Sequence, residues 1–169
     1  KRLVAQDGEL REIEDVGEVN MGDDKTLADF IAWGVKAYPA ERYALVMSDH
    51  GDGWSGFASD ESADDDMLDL AEIAGALKEG GATFDLIGFD GCVMSTVEVA
   101  EAVRPYAKVF VASEELEPGY GWNFTPWLTA LAEKPAMDAA AVGRSICDTF
   151  KDYFDKNPDP EGKTITLAA

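Results

Sequence analysis

A histidine and a cysteine each follow a short apolar run in this chain, and together these two residue types can carry out acyl transfer. His50, the only histidine, follows Tyr43-Ala44-Leu45-Val46-Met47, and Cys92 follows the run from Phe84 to Phe89. A thiolate attacks a carbonyl carbon, and an imidazole within reach moves the protons. If the two runs are neighbouring strands, their axes lie about 4.8 Å apart and side chains leaving equivalent ends can meet. Gly51 and Gly91 let the backbone turn sharply, which makes the N–H groups of Gly51 and Cys92 candidate oxyanion donors. Composition alone favours a packed, inert cysteine and a structural histidine. Placement at strand ends brings the dyad level with that reading.

The elements that must position the pair can be read from the same rows. Residues 1–20 alternate charged and apolar positions around Gln6-Asp7-Gly8-Glu9, a hairpin pattern. Thr26 and Asp29 resemble a capping box, after which Leu27, Phe30, Ile31, Val35 and Tyr38 share a helical face until Pro39. Ser55 to Asp66 reads as an acidic loop without periodicity, and Met67, Leu70, Ile73, Ala74 and Leu77 as a helix ending at Gly80-Gly81. After Cys92 a helix is expected from Val93 to Arg104, closed by Pro105 and aiming its positive end at the sulfur. Lys108 to Ala112 makes a third strand, followed by an irregular segment and two helices, near Phe124–Ala132 and Asp138–Phe154. Thr164 to Ala169 reads as the start of another strand.

Continuous apolar strands alternating with helices specify an α/β domain, with a mainly parallel sheet and helices on both faces. In such sheets the crevice lies beyond the carboxyl ends of the strands, where the polar clusters fall. The chain has 169 residues, enough for one domain with a sizeable core. Its net charge of −20 excludes nucleic acid and anionic lipid as partners and favours cationic ligands. No apolar run reaches the roughly 18 residues of a membrane span, and two cysteines, Cys92 and Cys147, support neither a disulfide scaffold nor a zinc finger.

His50-Gly51-Asp52-Gly53-Trp54 and Asp90-Gly91-Cys92-Val93-Met94 resemble the His-Gly and Asp-Ala-Cys motifs of clostripain-type cysteine peptidases, which share a fold group with caspases, legumains and gingipains. The likeness continues through Val97-Glu98-Val99-Ala100, Ala112-Ser113-Glu114-Glu115 and Glu117-Pro118-Gly119-Tyr120-Gly121-Trp122. It implies a three-layer caspase-like domain, a His50/Cys92 dyad, and cleavage of peptide bonds after a basic residue, arginine before lysine. Trp54, Ser113 and Trp122 would border the substrate. The resemblance also implies a secreted or cell-envelope protein, and a chain truncated at both ends relative to the full protein. Alternation along a strand points Asp90 the same way as Cys92. An unpaired carboxylate there opposes thiolate formation, whereas one at the base of a pocket pairs with a substrate guanidinium. The plainer role for Asp90 is a turn or helix cap.

Two departures stand out. Gly91 occupies a position where the family usually has alanine, and Lys78 is the only basic residue between His50 and Cys92, which disfavours self-cleavage there. The chemistry requires neither metal nor organic cofactor. Calcium is a possible ligand of Asp60-Glu61-Ser62-Ala63-Asp64-Asp65-Asp66, although that run lacks the glycine and terminal glutamate of an EF-hand. Two alternatives to the peptidase are a non-catalytic module of the same fold that binds basic peptides, and a calcium-binding structural domain.

Overall fold

Positive φ angles at Asp7 (54°) and Gly8 (78°) close a tight turn, and the chain on either side pairs antiparallel as β1 (Arg2–Gln6) and β2 (Glu9–Glu14). Such two-residue turns match the twist of a hairpin, the arrangement expected at this place. The computed structural model describes residues 1–162 and 166–169. Helix α1 (Asp24–Ala37) starts earlier than expected, because Asp23 rather than Thr26 is its N-cap and accepts from the Lys25 N–H at 2.9 Å.

Strand β3 (Ala44–Ser48) ends two residues before His50. The acidic stretch that follows is not an irregular loop. It pairs as an antiparallel hairpin of β4 (Phe57–Asp60) and β5 (Asp66–Leu68), turned by left-handed residues at Asp64 and Asp65. Met67 belongs to β5 rather than to the next helix, since Asp69 and Glu72 form a reciprocal capping box that starts α2 (Leu70–Glu79). Strand β6 (Phe84–Asp90), helix α3 (Val97–Val103), strand β7 (Ala107–Val111) and helices α4 (Phe124–Glu133) and α5 (Ala139–Lys156) complete the described elements.

The central sheet has the order β3-β6-β7 and is parallel throughout. Alternate side chains of β6 enter two separate cores, as period two requires. Ile87 and Phe89 pack with Ile31, Ile73, Leu77, Val99 and Val103 from α1, α2 and α3. Leu86, with Val111, packs on the other face against Trp127, Val142, Ile146 and Phe150 from α4 and α5. Helices therefore cover both faces, giving the three-layer α/β architecture expected.

Gly88 of β6 leaves room for Trp122, whose ring would stand 2.6 Å from any Cβ at that position. Overfilling a tight site typically costs about 1–3 kcal/mol. Gly88→Ala is thus expected to lower the urea midpoint of unfolding by that amount of stability. An unchanged midpoint would show that the Trp122 ring is free to slide.

A cavity of about 500 Å³ flanks β3, lined by residues that include Arg2, Leu27, Phe30, Leu45 and Phe57, but neither His50 nor Cys92. Of the strand expected over Thr164–Ala169, Thr164 and Ile165 lie outside the described residues. Ala168 forms an antiparallel bridge with Ala112, with N···O distances of 3.1 and 3.0 Å.

Candidate active site

The register of β3 and β6 sets the site. Ser48 pairs with Asp90, and the Asp49 N–H reaches the Asp90 carbonyl at 3.3 Å, so the chains carrying His50 and Cys92 leave the sheet side by side. His50 and Gly51 then double back against Phe57 and Ala58. The His50 carbonyl accepts from Ala58 N–H at 3.0 Å, and Asp52 N–H donates to the Gly56 carbonyl at 3.0 Å. Phe57 anchors this loop by inserting into the core, edge-on to Phe89 at 5.1 Å.

Both glycines beside the pair are required by close backbone approach. A Cβ at Gly51 would stand 2.3 Å from the Cys92 carbonyl oxygen, and one at Gly91 would stand 2.4 Å from the Asp49 carbonyl oxygen. The two motif loops therefore touch main chain to main chain. Among the described residues, neither the Gly51 N–H nor the Cys92 N–H donates a hydrogen bond to a protein group. Donors left free in this way are available to an incoming oxygen.

The thiol is held from an unexpected side. Cys92 is half-buried, and its Sγ accepts from the Glu117 N–H at 3.3 Å and lies 3.9 Å from the Glu117 carbonyl. The His50 ring is exposed, and among the described residues no hydrogen bond joins it to Cys92. The pair is thus adjacent through backbone, with the thiol resting on Glu117. The expected helix does not begin after the cysteine. Val93 has a positive φ of 51°, its N–H donates to Glu115, Ser95 N–H donates to Ser113, and α3 starts only after the Thr96 cap. A peptide N–H of the 113–122 segment, rather than a helix terminus, is what faces the sulfur.

Asp90 is 6% exposed and closes the floor of the site. Its Oδ1 accepts from Trp122 N–H at 3.0 Å and its Oδ2 from the Ser48 hydroxyl at 3.2 Å. Burial raises its pKa above the ordinary carboxylate value, opposed by hydrogen bonding from Glu117, Trp122 and Ser48. Gly121, at φ 63°, lies against this carboxylate, where a Cβ would come within 2.8 Å of Oδ1. Glu117 is 5% exposed. Its Oε1 accepts from the Trp122 indole at 3.2 Å, and its carboxyl shares a hydrogen bond with the Asp90 carboxylate. Burial first, and then the Asp90 charge, push its carboxyl up to about 9.

The other candidates separate. Trp54, 71% exposed, stands in a single 3-10 turn packed on α3. Trp122 is buried as a wall of the carboxyl pair. Ser113 is wholly buried and donates its hydroxyl to the Thr166 carbonyl at 2.6 Å. Asp60 is spent locally, accepting from Met21 N–H, Ser62 N–H and the Ser62 hydroxyl. Among the described residues no three His, Cys, Asp or Glu side chains converge as metal ligands. Glu117 was not singled out from the sequence as a site residue, although it opens the Glu117-Pro118-Gly119 turn that carries part of the family likeness.

These features amount to a three-layer α/β fold with a half-buried cysteine just beyond the end of a central strand. A secreted C11 cysteine protease from Bacteroides thetaiotaomicron, solved with an irreversible peptide inhibitor, overlays with a TM-score of 0.75 at 25% identity, covering 89% of this chain and 44% of that one. An inactive zymogen C11 protease from Parabacteroides distasonis overlays with a TM-score of 0.70 at 26% identity, covering 91% and 43%. Clostripain from Hathewaya histolytica is 33% identical over 126 residues, 63% of this chain and 24% of that protein. A model of the clostripain family matches residues 2–168, and the chain belongs to that family. It spans less than half the length of each of these relatives.

Proposed function

We propose that this chain carries the catalytic centre of a cysteine endopeptidase that cleaves after arginine, and less readily after lysine. Asp90 carries the reading: it is a buried carboxylate at the strand end beside Cys92, and among the described residues no Lys or Arg pairs with it. A buried anion without a counter-ion is costly, and a substrate cation removes the cost. Cys92 attacks the scissile carbonyl, His50 accepts the thiol proton and delivers it to the leaving amine, and the Gly51 and Cys92 N–H groups hold the oxyanion. Water, deprotonated by His50, then releases the acyl-enzyme.

Two movements are implied, one of a side chain and one of a loop. Cys92 turns from Glu117 toward His50, and the strap of residues 117–122 lifts to admit the P1 side chain. Trp54 then stands at the mouth as an apolar contact for the peptide. The Bacteroides relative is described as secreted, which supports a secreted or cell-envelope location for this protein too. Among the described residues no helix is long and apolar enough to cross a membrane.

An arginine chloromethyl ketone tests the proposal. It is expected to alkylate Cys92 and spare Cys147, which burial and then the nearby Asp148 charge keep in the unreactive thiol form. Peptide mapping by mass spectrometry reads the outcome. Equal labelling of both cysteines, or equal labelling by a norleucine analogue, would reject the assignment.

A further inference from the structure

Cys92 stands in a turn that local preference alone would not build. Val93, the residue after it, is β-branched yet has φ 51°, a left-handed conformation that persists only where the surroundings impose it. The segment beyond β7 imposes it. Val93 N–H donates to the Glu115 carbonyl at 3.0 Å, and Ser95 N–H to the Ser113 carbonyl at 2.8 Å. The turn that carries the nucleophile therefore hangs from two main-chain acceptors, and its shape is as firm as residues 113–115.

Those residues are secured in turn by Thr166. The wholly buried Ser113 donates its hydroxyl to the Thr166 carbonyl at 2.6 Å, the Ser113 and Thr166 hydroxyl oxygens stand 3.1 Å apart, and Glu115 N–H donates to Thr166 Oγ1 at 3.0 Å. A hydroxyl has one hydrogen to give. With that of Ser113 spent on the carbonyl, the Thr166 hydroxyl donates to Ser113 Oγ, and each donor in the cluster meets one acceptor. Thr166 is itself held by the antiparallel bridge two residues on, between Ala112 and Ala168. We propose that Thr166 is a positioning residue for the peptidase reaction: its hydroxyl fixes residues 113–115, which keep Val93 left-handed and so hold Cys92 and Gly51 in place to receive the oxyanion. The inference rests on the reading of Cys92 as the nucleophile.

Without that hydroxyl, Glu115 N–H loses its acceptor and Ser113 Oγ its donor. The Glu115 carbonyl can then swing, and Val93 relaxes toward negative φ. The Cys92–Val93 peptide turns with it, and its carbonyl oxygen is the atom that rests on Gly51, where a Cβ would come within 2.3 Å. Both oxyanion donors are displaced together. The Asp90 carboxylate is left alone, since it is held by Trp122, Ser48 and Glu117 rather than by Ser113, Glu115 or Thr166. Loss of the hydroxyl thus slows bond making while substrate binding is retained.

The experiment compares Thr166→Val, which keeps the shape and loses the hydroxyl, with Thr166→Ser, which keeps the hydroxyl, each in the complete protein. With a fluorogenic arginyl peptide, kcat of Thr166→Val is expected to fall roughly 10- to 100-fold, the scale of a small misplacement of reacting groups, with KM within about two-fold. Affinity for an arginine peptide aldehyde, which adds to the thiol as a tetrahedral adduct, should fall by the same factor, because it too needs the oxyanion donors. Thr166→Ser should match the unsubstituted protein in all three. A merely unstable variant loses active protein but keeps the aldehyde affinity of its folded part. An unchanged affinity in Thr166→Val, or an equal loss in Thr166→Ser, therefore overturns the role of Thr166. Should Thr166→Val not fold, residue-resolved amide exchange of the unsubstituted protein decides: Glu115, Val93 and Ser95 are expected to open together with equal protection, and weaker, independent protection at Val93 overturns the proposal. Full activity of Cys92→Ala would instead overturn the nucleophile reading, and this one with it.

Discussion

Cys92→Ala is expected to reduce turnover of a fluorogenic arginyl peptide by roughly 10⁴-fold or more, because no other group supplies the covalent route. Cys147 cannot substitute, since it sits on α5 in the second core, across the sheet from α1, α2 and α3. The structural cost of the change is small. The half-buried sulfur accepts one hydrogen bond, from Glu117, and its loss strands one N–H, worth about 1 kcal/mol. Thermal melting should shift by only a few degrees while activity disappears. Residual hydrolysis above one tenth of the original rate would remove Cys92 from the chemistry.

The second large effect concerns selectivity. Asp90→Asn keeps the shape: its Oδ1 can still accept the Trp122 N–H, and its Nδ2 can donate to the Ser48 oxygen once that hydroxyl turns. The charge is lost while both contacts are kept. Losing one member of a buried ion pair costs about 3 kcal/mol or more, so kcat/KM for an arginyl substrate should fall by roughly 100-fold or more. A citrulline substrate should be hydrolysed about as before. If the arginine preference survives in Asp90→Asn, the carboxylate reading the substrate lies elsewhere in the molecule.

Much of the placement of these residues is legible in the sequence. Three continuous apolar runs could be covered only by helices on two faces, and their polar ends had to share one edge of the sheet. His50, Cys92 and Asp90 followed from that arrangement. The β4–β5 hairpin was hidden because Asp64 and Asp65 take left-handed turns, a conformation that composition does not announce for aspartate. The delayed start of α3 depends on Val93 adopting φ 51° so that its N–H can reach Glu115. A β-branched residue in that region is held there only by tertiary contact. Glu117 lay far from Cys92 in sequence, and only the fold of the 113–122 segment brings its amide to the sulfur. A hint was present in Gly88, a glycine inside an apolar strand, which marks close approach by something large. That partner is Trp122, which carries Glu117 with it.

The contact between Gly51 and the Cys92 carbonyl also bears on how such a protein can diversify. Because the two motif loops rest directly on each other's main chain, their spacing is insulated from the crossover that joins them. Chain added at Asp64–Asp65, the tip of the β4–β5 hairpin, would pass outward without reaching that contact. The scaffold therefore has one zone with room for added chain and another, where the two loops touch, with almost none.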